Sequence, residues 1–166
     1  MLPSQVQLKH YHLTRVEIEP LRVPDSTADA LYPDFGDCTF SSKVGINVAQ
    51  SDPNLFRLSL DLEGAPEDKK HFPYRFLISA EGLFVLANDV AAQHQKDIVL
   101  VNGAAILYSA LRDILLGITL RMPNGPIMLP TVNFLDLREA PPTDEHNAVS
   151  TERQRGIARK RPKRQK

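Results

Sequence analysis

His10 and His12 stand two residues apart in a stretch that alternates like a strand. That spacing puts both imidazoles on one face, an arrangement transition metals use. No Cys, Asp or Glu neighbour completes a ligand set, and His71, His94 and His146 are scattered. Cys38 is the lone cysteine, which argues against a disulfide framework and against a thiolate metal site. No glycine-rich phosphate loop, P-loop or nucleophile elbow occurs. The acids pair nowhere for proton transfer, and Asp113 beside Arg112 reads most simply as an ion pair. The expectation is a protein with no catalytic residues, no metal and no cofactor. Its chemistry must lie in its surfaces.

The element that dominates those surfaces spans Gly103 to Arg121, read as one helix. Asn102 is placed to cap it through its side-chain oxygen. Pro123, Asn124, Gly125 and Pro126 stop it within a turn. Ahead of it, Asp89 to Leu100 reads as a short amphipathic helix, with a kink at Asn102-Gly103. The main helix is apolar on two sides. Ala104, Leu107, Tyr108, Leu111, Ile114, Leu115 and Ile118 follow the three-and-four spacing of a core-facing side, while Ile106, Ala110, Leu116 and Leu120 fill most of the opposite side. Such a helix must be covered twice, and one small sheet covers it once. A partner subunit is therefore expected, with Ala104, Leu107, Tyr108, Leu111, Leu115 and Ile118 as the oligomer interface. Arg112 and Asp113 sit mid-helix and argue against a membrane span.

The strands precede the helices in a block. Gln5 to Leu21 alternates, but its apolar phase slips after Leu8 and again between Leu13 and Val16, each slip predicting a β-bulge. Val44–Gln50 and Phe56–Leu62 alternate around the turn cluster Ser51 to Asn54. Tyr74–Ile78 and Leu83–Leu86 alternate on either side of Glu81-Gly82, read as a tight turn. Strands followed by helices make an α+β chain rather than alternating βαβ units. Between the first two strands, Pro24 to Ser42 is punctuated as a loop yet holds Leu31, Tyr32, Phe35 and Phe40. These form either a lid on the sheet or the border of a groove for apolar segments. After the long helix, Leu129-Pro130 forces an extended segment, and Asn133–Arg138 makes a short final turn.

The chain of 166 residues has no net charge, but the charge is divided. Residues 151–166 hold eight basic side chains and one acid, Glu152, which leaves 12 basic and 19 acidic residues in 1–150. The body is thus near −7 and the end near +7. Without apolar periodicity, 141–166 is expected to be a disordered basic tail, and 1–140 a single domain. The tail reads first as a solvated end, then as an arm for an acidic protein partner, then as a nucleic-acid contact. The last is the alternative function: a nucleic-acid-associated interaction protein. The first residues lack the charged, apolar and small-residue order of a secretory signal, so a cytoplasmic protein is expected.

The "ILYSALR" of the long helix, the Gly/Pro turn and the "LPTVNF" that follows resemble the SecB family of export chaperones. That family shows a similar "ILFPYARE" helix before a Pro-Val-Asn-Phe signature. The likeness runs over most of residues 5–138. It implies a twisted antiparallel sheet of about four strands, covered on one face by a long helix and short helices. It also implies an ATP-independent holdase for unfolded polypeptides, assembled as a tetramer, a dimer of dimers. The groove beside the crossover loop would bind client through Leu31, Tyr32, Phe35 and Phe40, with Phe134 and Leu137 from the segment after the helix. Clients would be export preproteins, or one dedicated client such as the antitoxin of a toxin–antitoxin–chaperone system. Tyr74–Ala80 carries no acid and the tail is basic, two departures from the export pattern that weigh against coupling to SecA.

Overall fold

The computed structural model describes residues 3–21, 35–49, 52–67, 72–87, 90–139 and 149–151. Strands β1 (Val6–Pro20), β2 (Cys38–Ala49), β3 (Asp52–Pro66) and β4 (Tyr74–Leu86) precede helix α1 (Ala92–Thr119), and the short β5 (Val149–Thr151) follows. The five strands form one antiparallel sheet in the order β1-β4-β3-β2-β5. β2, β3 and β4 make a meander, and β1 returns to pair with β4 on the far side. Single 3-10 turns lie at Phe35–Asp37 and Leu135–Glu139.

Both expected bulges are present in β1. Its register against β4 shifts between Leu8 and His10 and between Leu13 and Arg15. Each extra residue compensates a three-residue step in the apolar pattern. Leu8, Tyr11, Leu13, Val16 and Ile18 therefore all lie opposite Phe84, Gly82, Ala80, Ile78 and Phe76, on one face. β3 and β4 turn the same face inward, where Leu58, Leu60, Leu62 and Ile78 are wholly buried.

Helix α1 packs on that face and corrects the sequence reading. It is one unbroken helix of 28 residues, with no separate short helix before Leu100. Asn102 is no cap: its Nδ2 donates to the Ile98 carbonyl one turn back, at 2.8 Å. Gly103 marks a close approach of helix and sheet. A Cβ there would stand 3.1 Å from Leu58 Cδ1 and 3.4 Å from the Phe84 ring. Gly82 plays the matching part on the sheet, since a Cβ would meet Phe84 at 2.8 Å and Leu107 Cδ2 at 3.0 Å. Glu81-Gly82 is accordingly strand, paired with Ser59 and Leu58, and not a turn. By length and composition α1 could cross a membrane, but Val99, Ala104, Leu107, Leu111 and Leu115 are buried against this chain's own sheet.

The chain reverses at Thr119. Its buried Oγ1 donates to the Leu115 carbonyl at 2.8 Å and accepts from the Ile127 N–H at 2.9 Å. The extended segment after Gly125 then runs back beside the helix, burying Ile127 and Leu129. β5 pairs Val149–Thr151 with Val44–Ser42. It lies within 141–166, expected to lack structure, while 140–148 and 152–166 fall outside the described residues.

Candidate polypeptide-binding surface

Four phenylalanines gather where β2 begins and β4 starts. Phe40, expected on a loop, is in β2, in the row Phe40–Gly64–Phe76. The Phe76 ring lies across Gly64, where a Cβ would collide with it, and reaches within 6.5 Å of the Phe40 ring. Phe35 meets the Phe40 ring edge-on at 6.2 Å and the Phe72 ring at 5.2 Å. Phe72 and Phe76 are buried, whereas Phe35 and Phe40 are half-buried and offer apolar area to solvent. Offset and edge-on ring contacts fix the geometry of such a cluster. Leu31 and Tyr32 lie outside the described residues.

Phe134 and Leu137 belong to a second cluster. The Phe134 ring packs edge-on against Tyr108 at 5.5 Å and is 6% exposed, while Leu137 is half-buried. Tyr108 donates its hydroxyl to the Pro130 carbonyl, tying the returning segment to the helix. Burial pushes the phenols of Tyr108 and Tyr74 above their ordinary value. Among the described residues no ring contact joins this cluster to the Phe35–Phe40 pair. Between Phe134 and Leu137, Leu135 is 52% exposed, a residue the sequence did not single out.

Most of the residues expected at an oligomer interface lie inside the protomer. Ala104, Leu107, Leu111 and Leu115 are buried within this chain, Tyr108 is buried against Phe134 and Pro130, and only Ile118 is exposed. The side left uncovered is the opposite one. There Ile106, Ala110 and Leu116, with Ser109, Arg112 and Asp113, line a shallow groove of about 740 Å³ closed on one flank by Met128. A second uncovered surface is on β1, an edge strand. Tyr11, Leu13 and Val16 face the helix side of the sheet, yet are 37%, 39% and 42% exposed. Their alternation predicts burial, but the sheet order puts β1 at the edge, and there these three stay open.

On the other face of the sheet the His10 and His12 rings stack at 5.8 Å and, with Arg57 and Glu81, line a hollow of about 340 Å³. Among the described residues no three His, Cys, Asp or Glu side chains are spaced to hold a metal ion. Cys38 is buried, and loss of solvation pushes its thiol up to about 12.

No sequence-family model matches the chain, and no curated protein matches it by sequence. Its architecture does match a solved one, the SecB-like chaperone Rv1957 of Mycobacterium tuberculosis, determined in complex with a ChAD peptide from the antitoxin HigA1. The two share 13% identity with a TM-score of 0.56, over 78% of this chain and 91% of that one. The fold is SecB-like. A protein of unknown function from Streptococcus agalactiae aligns at 12% identity and a TM-score of 0.47, over 76% of this chain and 97% of its own. At 13% identity the SecB-like likeness is one of architecture: an antiparallel sheet with one long helix.

Proposed function

We propose that this chain is an ATP-independent holdase that binds extended, non-native polypeptide. The observation that carries this is the Phe35–Phe40 pair. It is seated on a buried aromatic floor, yet half open to solvent, in a fold that Rv1957 shares and that was solved there with an antitoxin peptide. Leu31 and Tyr32, a few residues upstream, would extend the apolar surface. Leu137, with the exposed Leu135, would supply a second contact along the client, and Phe134 would brace that segment on Tyr108. A protein that binds only unfolded chain shifts the folding equilibrium by mass action and needs no nucleotide. The acidic body draws basic unfolded segments toward it. Of export preproteins and a dedicated client, an antitoxin-type client is favoured by the peptide held by Rv1957.

The working form would be a homo-oligomer, a tetramer arranged as a dimer of dimers. Support comes from two apolar surfaces that one chain leaves bare: the outer side of α1 and the inner face of β1. The test of client binding is the double variant Tyr32→Ser and Phe35→Ser. Suppression of aggregation of a chemically unfolded reporter should weaken while light scattering reports the wild-type oligomer. Protection equal to wild type would make these aromatics a lid on the core and remove the site.

A further inference from the structure

Asn124, in the turn after α1, holds three stretches of chain with one side chain. Its Nδ2 donates to the Leu21 carbonyl and to the Pro73 carbonyl, each at 2.7 Å. Leu21 leaves β1 and Pro73 leads into β4, and the Leu21 N–H also donates to Pro73 at 2.9 Å. The Tyr74 hydroxyl closes the knot on the Gly125 carbonyl at 2.6 Å. A primary amide brings two N–H donors to two acceptors here. An ionised aspartate has none, and would set its oxygens against both carbonyls.

The residue that follows is Gly125, at φ 78°. With no side chain on the next residue, the backbone nitrogen has open access to the asparagine carbonyl carbon. We propose that Asn124-Gly125 is a deamidation site and that Asn124 is a latch broken by that modification. The Gly125 nitrogen attacks Asn124 Cγ, the C–N bond to Nδ2 breaks, and ammonia leaves carrying the displaced proton. Water then opens the resulting succinimide to aspartate or isoaspartate. In the closed latch both reactants are engaged: Nδ2 by two carbonyls, and the Gly125 N–H by the Met122 carbonyl at 3.2 Å. The folded state therefore slows the reaction, and transient opening admits it. Once formed, the product cannot close the latch again, so a brief opening becomes a permanent one. The other Asn-Gly pair, Asn102-Gly103, lies inside α1 and its Nδ2 reaches only Ile98, so its conversion would untie no separate segments.

Limited trypsinolysis of the full chain tests this without reference to any client. Arg22 follows Leu21 directly, and Lys69 and Lys70 stand just before Pro73. In Asn124→Asp, cleavage at these sites should run roughly tenfold faster than in wild type, as expected for two lost hydrogen bonds. Cleavage in the tail from Arg153 onward should be unchanged. Equal rates at Arg22, Lys69 and Lys70 would overturn the proposal. If that variant does not fold, wild-type protein aged at alkaline pH serves instead, with cut and uncut fractions mapped by peptide mass. Aspartate or isoaspartate at 124 should concentrate in the cut fraction, and should form faster in urea than in the folded protein. An even distribution, or equal rates folded and unfolded, would overturn it.

Discussion

Replacing Gly103 with valine separates a kinked helix from one pressed onto its sheet. Valine in place of glycine mid-helix gains a few tenths of a kcal/mol in helix propensity, about 0.3. Against this, the new Cβ would stand 3.1 Å from Leu58 Cδ1 and 3.4 Å from Phe84, both wholly buried, with two methyl groups still to place. Overfilling a packed core costs about 1–3 kcal/mol. The net loss is then about 1–2.5 kcal/mol, a fall in Tm of about 2–10 °C for a chain of this size. Alanine at 103 sets about 1 kcal/mol of propensity against a milder contact and should melt near wild type. Gly117→Ala is the reference, because nothing lies within 4 Å of its added Cβ. It should rise by about 2–4 °C from propensity alone. Thermal melts followed by circular dichroism measure all three. If Gly103→Val rises as Gly117→Ala does, α1 does not touch the sheet at 103 and the packing described above is wrong.

Leu111→Asp would bury an unpaired charge inside the protomer and should unfold it, whereas Leu116→Asp, on the outer groove, should shrink the oligomer by light scattering and leave the circular dichroism intact. An unchanged assembly in Leu116→Asp would rule out the outer side of α1 as an interface. Alkaline pH should destabilise the fold, because burial raises the Cys38 thiol from 9.0 to about 12 and raises the Tyr108 and Tyr74 phenols too. The unfolded chain ionises first, so stability is full below the unfolded values and falls as pH rises through the window up to the folded ones. Each group contributes at most about 1.4 kcal/mol per pH unit. Urea midpoints that stay level from about pH 9 to pH 11 would contradict that burial.

The sequence by itself determined what depends on local pattern. The two phase slips in β1 locate its bulges, because a period of two admits a three-residue step only with an extra residue. Strands before helix likewise gave the α+β class. The three-and-four spacing of Ala104, Leu107, Tyr108, Leu111 and Leu115 marks the core-facing side of α1, and all five are buried. What lies against the other apolar side the sequence could not determine, since only packing chooses. Gly82 and Gly103 show the same limit. Read locally, a glycine marks a break; in the fold, each is the absence of a side chain where helix and sheet must approach. Phe40 was assigned to a loop because its partners, Gly64 and Phe76, are distant in sequence and the ladder exists only once they pair. Tyr11, Leu13 and Val16 alternate like core residues, and their exposure follows from the place of β1 at the sheet edge, with a partner strand on one side only. Local periodicity records which residues avoid water. Tertiary structure alone decides what covers them, and where a surface is left for another chain to cover.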